Sequence, residues 1–214
     1  MYRTIIFDLD GTLLNTLDDL RDSTNYALSQ YGYPERSLDE IRSFVGNGIR
    51  KLIERALPKD VTQEEYDKVF EAFKGHYRVH CNDKTGPYPG IMELLTVLKE
   101  KGIACAIASN KAHPAVMTLK EIYFEGYIQE ASGIVDGKPA KPDTYMVDNL
   151  MKALNCKKEE TLYVGDSQVD IDTAANAGLD MVAVSWGFRT EEELKKAGAS
   201  IIIKHLLELL KYFS

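Results

Sequence analysis

Thr4-Ile5-Ile6-Phe7-Asp8-Leu9-Asp10-Gly11-Thr12-Leu13 decides how this chain is read. Ile5-Ile6-Phe7 is an apolar run of the kind that forms a buried strand. It ends in two carboxylates one residue apart, then a glycine and a hydroxyl. In extended chain, residues i and i+2 point to the same side, so Asp8 and Asp10 can face one small ligand while Leu9 returns to the core. Carboxylates that close repel each other and call for a cation or a shared proton. Asp-Gly is also a turn dipeptide, so the stretch by itself equally fits a strand ending in a polar turn. The rest of the chain has to decide.

The remaining composition narrows the classes. With 214 residues, the chain has room for one large domain or a core with a smaller insert. It is 44% hydrophobic and 28% charged, an ordinary globular balance. The net charge of -7 leaves no basic stripe for nucleic acid or an anionic membrane. A small phosphorylated partner remains compatible, because a divalent ion and a lysine make a local positive site inside an acidic protein. Cys81, Cys105 and Cys156 are far apart and in no ligand spacing, which suits a reducing, cytoplasmic setting. A strand within the first few residues is not a signal peptide, and no apolar run approaches spanning length.

Read in order, the pattern switches period several times. From about residue 16 to 80 every segment is helical: Leu17, Leu20, Thr24, Ala27, Leu28 and Tyr31 make one face of a first helix, with Asp18, Asp19, Arg21 and Asp22 on the other. From residue 83 helices alternate with apolar strands, among them Ile103–Ser109, Thr161–Val164 and Leu179–Val184, and a closing helix is expected over His205–Lys211. Such alternation predicts an α/β fold, a doubly wound parallel sheet covered on both faces. The first strand belongs to that sheet but is separated from it by the helical block. The expected organisation is a core of residues 1–14 and 83–214 with an inserted helical domain of residues 15–82.

In such sheets ligands bind at the carboxyl ends of the strands. Asp8 and Asp10 follow the first strand, Ser109 and Asn110 the strand 103–108, and Gly165-Asp166-Ser167 the strand 161–164, with Asp170 beyond. A lysine, Lys138 or Lys141, precedes the last of these strands. Carboxylates, a hydroxyl and an ammonium together describe a magnesium–phosphate site, since Mg²⁺ takes hard oxygen ligands and few protein carboxylates.

Phe7-Asp8-Leu9-Asp10-Gly11-Thr12, Ser109-Asn110-Lys111, Lys141-Pro142-Asp143 and Val164-Gly165-Asp166-Ser167-Gln168-Val169-Asp170 resemble, in order, the four motifs of the haloacid-dehalogenase-like hydrolases, and the likeness runs through the whole chain. Phe44-Val45-Gly46-Asn47-Gly48 and Ser185-Trp186-Gly187 are similar to the phosphoglycolate-phosphatase-like group of that superfamily. The resemblance implies a Rossmann-like core with a small α-helical cap and a Mg²⁺-dependent phosphatase acting on a small phosphorylated metabolite. It implies Asp8 as nucleophile and Asp10 as general acid and base, its backbone carbonyl also reaching the metal. It further implies Asp166 as a metal ligand, Asp170 as a ligand through water or as the partner of the lysine, and Ser109 as a phosphoryl donor. Both lysines carry a Lys-Pro signature; Lys141 has the family-like spacing of 25 residues to Asp166 and is expected to be the catalytic one. The family commonly has aspartate at the hinge where this chain has Asn15.

Other residues keep two readings. Asn47 and Gly48, with Arg50 or Lys51 nearby, form either a substrate loop of the cap or a simple interhelix turn. Asn110 and Lys111 are candidates for substrate binding; Lys111 either meets a distal anion of the substrate or is a surface lysine at a helix start. Trp186 lines the cleft or packs, and His76 and His80 read as surface residues. Pyrophosphate hydrolysis stays open. A sugar-phosphate mutase is less favoured, because residues 16–31 hold no histidine and the last motif reads Gly165-Asp166. A non-catalytic phospholigand binder would have no need of Asp10. A monomer or homodimer fits equally.

Overall fold

The computed structural model describes residues 1–213. In chain order it contains β1 (Thr4–Phe7), β2 (Leu14–Asn15), α1 (Leu17–Gln30), α2 (Leu38–Phe44), α3 (Ile49–Ala56), α4 (Gln63–His80), β3 (Gly86–Pro87), α5 (Ile91–Glu100), β4 (Ala104–Ala112), α6 (His113–Phe124), β5 (Glu130–Ile134), α7 (Tyr145–Leu154), β6 (Thr161–Gly165), α8 (Gln168–Ala177), β7 (Asp180–Val184), α9 (Glu191–Lys196) and β8 (Ile202–Ile203). The closing segment Leu206–Phe213 is a 3-10 helix, where an α-helix over 205–211 was expected. Its first turn is set by Glu208, which accepts from the Lys204 and His205 amides. β2 and β3, which pair as a two-residue ribbon, are too short to leave a periodic signal.

The sheet has the order β5-β4-β1-β6-β7-β8, and every pairing is parallel. The fold is therefore a doubly wound α/β sheet. β1 is central: Ile5 and Phe7 pack into one core layer with Cys105, Ile107, Leu162 and Val164, and Ile6 into the other with Ala106, Ala108 and Tyr163. That two-sided burial is why these strands read as continuous apolar runs. Consecutive strands lie on one side of β1 as β4 and β5, then cross to the other as β6, β7 and β8. This reversal leaves a crevice at the carboxyl ends of the central strands.

The chain forms two compact units, residues 1–14 with 87–214, and residues 15–86. The second crossing falls four residues later than the sequence pattern suggested. The reason is Asp19, placed by periodicity on the polar face of α1 but only 2% exposed. It accepts the amides of Lys84 at 3.0 Å and Thr85 at 2.8 Å, tying residues 84–85 to the helical unit. At the start of α1, Thr16 makes no side-chain cap; Asn15 Oδ1 instead accepts from the Leu17 amide at 3.3 Å. His76 is half-buried, its ring between those of Tyr26 and His80 at 4.2 Å from each.

Candidate active site

The α/β unit gathers its polar side chains at the carboxyl end of β1. Asp8 follows β1, and its amide donates to Val164 of β6 at 2.8 Å, so the backbone ladder itself delivers the carboxylate to the crevice. Lys141 is 5% exposed. Its ammonium donates to Asp8 Oδ1 at 2.8 Å, Asp170 Oδ1 at 2.7 Å, the Ala108 carbonyl at 2.9 Å and the Tyr163 hydroxyl at 3.1 Å. Burial alone would lower the Lys141 pKa, but Asp170 and Asp8 outweigh it and hold the pKa well above the ordinary lysine value. Lys138, by contrast, is exposed, its ammonium over the Tyr145 ring at 5.5 Å.

Carboxylate oxygens of Asp8, Asp166 and Asp170 lie within 4.8 Å of one another. All of these residues are buried. Burial first, then the neighbouring Asp170, pushes the Asp8 carboxyl well above its usual range despite Lys141. The same two causes raise Asp166 to about 7, against the Phe188 amide and Arg189. One ammonium among three buried carboxylates leaves an excess of negative charge. An all-oxygen donor set with that excess fits a hard divalent cation. Asp8 Oδ2 accepts no hydrogen bond among the described residues and is open to such an ion or to a substrate.

Neighbouring groups hold the cluster in shape. Asp166 Oδ2 accepts from the Phe188 amide at 2.6 Å, and Oδ1 from the Thr12 hydroxyl at 3.5 Å. Gly11 has φ of +91°, and a Cβ there would overlap the Asp166 carboxylate. Trp186 Nε1 donates to the Thr12 carbonyl at 3.1 Å, and Gly187 leaves no room for a side chain beside Asp166. Asp170 Oδ2 accepts from the Ser167 hydroxyl at 2.6 Å and amide at 3.1 Å, in a capping box that opens α8. Asp170 is thus bound to Lys141 and to its own helix start.

Ser109, Asn110 and Lys111 lie inside β4, which runs through to Ala112 after a register shift against β5, rather than past its end as expected. Ser109 is buried, and its hydroxyl oxygen accepts the Lys111 amide at 3.2 Å. Both ends of the Asn110 amide meet the backbone of Lys141, Nδ2 donating to its carbonyl at 3.1 Å and Oδ1 accepting its N–H at 2.9 Å. Asn110 therefore clamps the lysine's own backbone. Asp10 stands outside the carboxylate cluster: its Oδ1 pairs with Lys111 Nζ at 2.8 Å. Sequence reasoning passed over Tyr163, whose hydroxyl also donates to Asp170 at 3.2 Å, and the Phe188 amide. A tyrosine in a fully buried strand was a legible signal; a backbone amide leaves none.

A family model for haloacid dehalogenase-like hydrolases matches residues 5–184. The chain belongs to the haloacid dehalogenase-like hydrolases. It is 33% identical to the phosphoglycolate phosphatase of Mesorhizobium japonicum, over 94% of this chain and 90% of that protein. It is also 33% identical to the phosphoglycolate phosphatase of Aquifex aeolicus, over 87% and 86%. Among solved structures, one from Lactobacillus delbrueckii subsp. bulgaricus superposes with a TM-score of 0.95 at 36% identity, covering 99% of this chain and 98% of that chain. One from Haemophilus somnus superposes with 0.92 at 27%, covering 100% and 98%. Both are of predicted phosphoglycolate phosphatases. The chain is accordingly an enzyme of the phosphoglycolate-phosphatase-like group, a phosphoric monoester hydrolase.

In this haloacid dehalogenase-like hydrolase the remaining candidates lie in the helical unit. Asn47 is exposed and accepts from Arg55 Nη2 at 2.8 Å, and Gly48, with φ of +82°, opens α3. Arg50 lies over the Phe70 ring at 4.7 Å and Lys51 pairs with Glu54 at 2.7 Å. No helix among the described residues is long and apolar enough to cross a membrane.

Proposed function

We propose that the protein is a Mg²⁺-dependent phosphatase of a small phosphorylated metabolite, of the phosphoglycolate kind, working in the cytoplasm through an aspartyl-phosphate on Asp8. The observation that carries this reading is Asp8 itself: buried, one oxygen held by Lys141, the other without a donor, and beside two more carboxylates. Asp8, Asp166 and Asp170, directly or through water, would hold the ion, with the Asp10 backbone carbonyl as a further ligand. When bound, Mg²⁺ supplies charge neutralisation for the phosphoryl oxygens.

In the first step Asp8 Oδ2 forms a bond to phosphorus while the bond to the ester oxygen breaks, and that oxygen takes its proton from Asp10. In the second, a water gives a proton to Asp10 and its oxygen displaces Asp8, releasing inorganic phosphate and restoring both residues. Splitting one displacement in two is what a carboxylate nucleophile achieves. Lys141 holds the nucleophile's other oxygen in place and offsets charge as it builds on the phosphoryl group, and Ser109 donates to that group. The relatives' names point to 2-phosphoglycolate as the substrate to try first. The helical unit of residues 15–86 enters the chain shortly after Asp10, as the small α-helical cap that the family resemblance implies, with Asn47 and Gly48 as its candidates for substrate selection.

The test is turnover against a panel that includes 2-phosphoglycolate and pyrophosphate, with and without EDTA, for wild type and Asp8→Asn. Mg²⁺-dependent release of phosphate, lost with EDTA and in the folded variant, is the expected result. Retained activity in Asp8→Asn, or a panel with no turnover at all, would overturn the reading.

A further inference from the structure

Lys111 is a charged side chain with almost no access to solvent: the side chain is 3% exposed, and its ammonium lies 2.8 Å from Asp10 Oδ1. A buried ammonium requires partners, and one of them here is the residue assigned above as acid and base. The pairing is built rather than incidental. Lys111 sits in β4, its amide donates to Ser109, and its carbonyl lies 2.5 Å from where a Cβ at Gly133 of β5 would stand, so its backbone is pinned between strands. Asp10 is 21% exposed at its side chain, and among the described residues its Oδ2 accepts no hydrogen bond.

We infer that Lys111 is a positioning residue for Asp10: it anchors Oδ1 and so presents Oδ2 as the oxygen that carries the proton to the leaving group. The inference rests on the phosphatase reading and deepens it. It also gives Lys111 a place inside the enzyme instead of at a distal anion of the substrate. As the phosphorus–ester oxygen bond breaks, its electron pair stays on that oxygen, which takes the proton from Asp10 Oδ2. Negative charge then develops on the Asp10 carboxylate, where the fixed ammonium stabilises it. A misaligned acid loses much of its effect, because proton transfer needs hydrogen-bond geometry in the transition state. An alkoxide leaving group needs that proton; a p-nitrophenolate leaves without it.

The experiment compares kcat and KM for ethyl phosphate, 2-phosphoglycolate and p-nitrophenyl phosphate in wild type, Lys111→Met, Lys111→Gln and Lys111→Arg, with circular dichroism confirming the fold. The ratio of kcat for ethyl phosphate to kcat for p-nitrophenyl phosphate should fall about tenfold or more in Lys111→Met and Lys111→Gln, with KM little moved, and recover in part in Lys111→Arg. An equal fall on every substrate, the mark of a merely structural role, would overturn the inference. So would a rise in KM confined to 2-phosphoglycolate, which would make Lys111 a substrate contact. Either outcome in an active wild type leaves the phosphatase reading standing, whereas a wild type inactive on all of them overturns both. Should the neutral variants not fold, Lys111→Arg alone decides: its longer, forked head must lower the same ratio without a matching fall on p-nitrophenyl phosphate, and an unchanged ratio overturns the inference.

Discussion

Lys138 and Lys141 each precede a proline three residues apart, yet one is exposed over a tyrosine ring and the other is buried among carboxylates. Spacing favoured Lys141; what separates the two physically is the Asn110 amide, which grips the Lys141 backbone at both N–H and carbonyl. Lys141→Ala should lower kcat by on the order of 10²-fold or more, since it removes the ammonium paired with Asp8 and Asp170. Lys138→Ala should stay within about twofold, as for other surface changes. Steady-state kinetics on one substrate checks both, and the reverse order of effects would unseat the assignment. Asp10 and Lys111 show what residue types leave undetermined. A lysine after Ser109-Asn110 was readable as a substrate contact or a surface charge, and only the third dimension pairs it with Asp10.

At the scale of elements, the apolar strands and the amphipathic helices were legible because each buries a face or stripe of the expected period. Errors fall where tertiary contacts override the period. β4 continues through Ser109–Lys111 because β5 pairs with it as far as Ala112. Asp19 belongs to the polar positions of α1 by count, but two backbone amides across the helical unit claim its carboxylate. Asp19→Ala should therefore cost roughly 2 kcal/mol, because it leaves the buried Thr85 N–H and the part-buried Lys84 N–H without their acceptor. A urea-unfolding midpoint nearly equal to wild type would show that water replaces the carboxylate there.

For the whole molecule, the carboxylate cluster should couple metal binding to stability. Three buried acids against one lysine are mutually repulsive, so an ion bound only by the folded chain should raise its stability, by about 2.7 kcal/mol at a hundred times Kd. The expected outcome is a melting temperature that climbs by several degrees on titration with MgCl₂ and does not climb in Asp166→Asn. An equal rise in both proteins would place the stabilising ion elsewhere. What the sequence by itself determined was the class of fold and the family, and it named the candidate residues for the chemistry, because strand period, helix period and motif order are written along one dimension. It also placed Asp8 and Asp166 at strand ends and Asp170 shortly beyond, where a parallel sheet brings together residues distant in the chain. Which oxygen each acid offers, which lysine is buried, where the helical unit ends, and that Asp10 leans on Lys111 were decided only by the tertiary structure. Those are outcomes of competition for hydrogen bonds in and around the core, and partners in that competition come from segments as much as 174 residues apart, as Thr12 and Trp186 are.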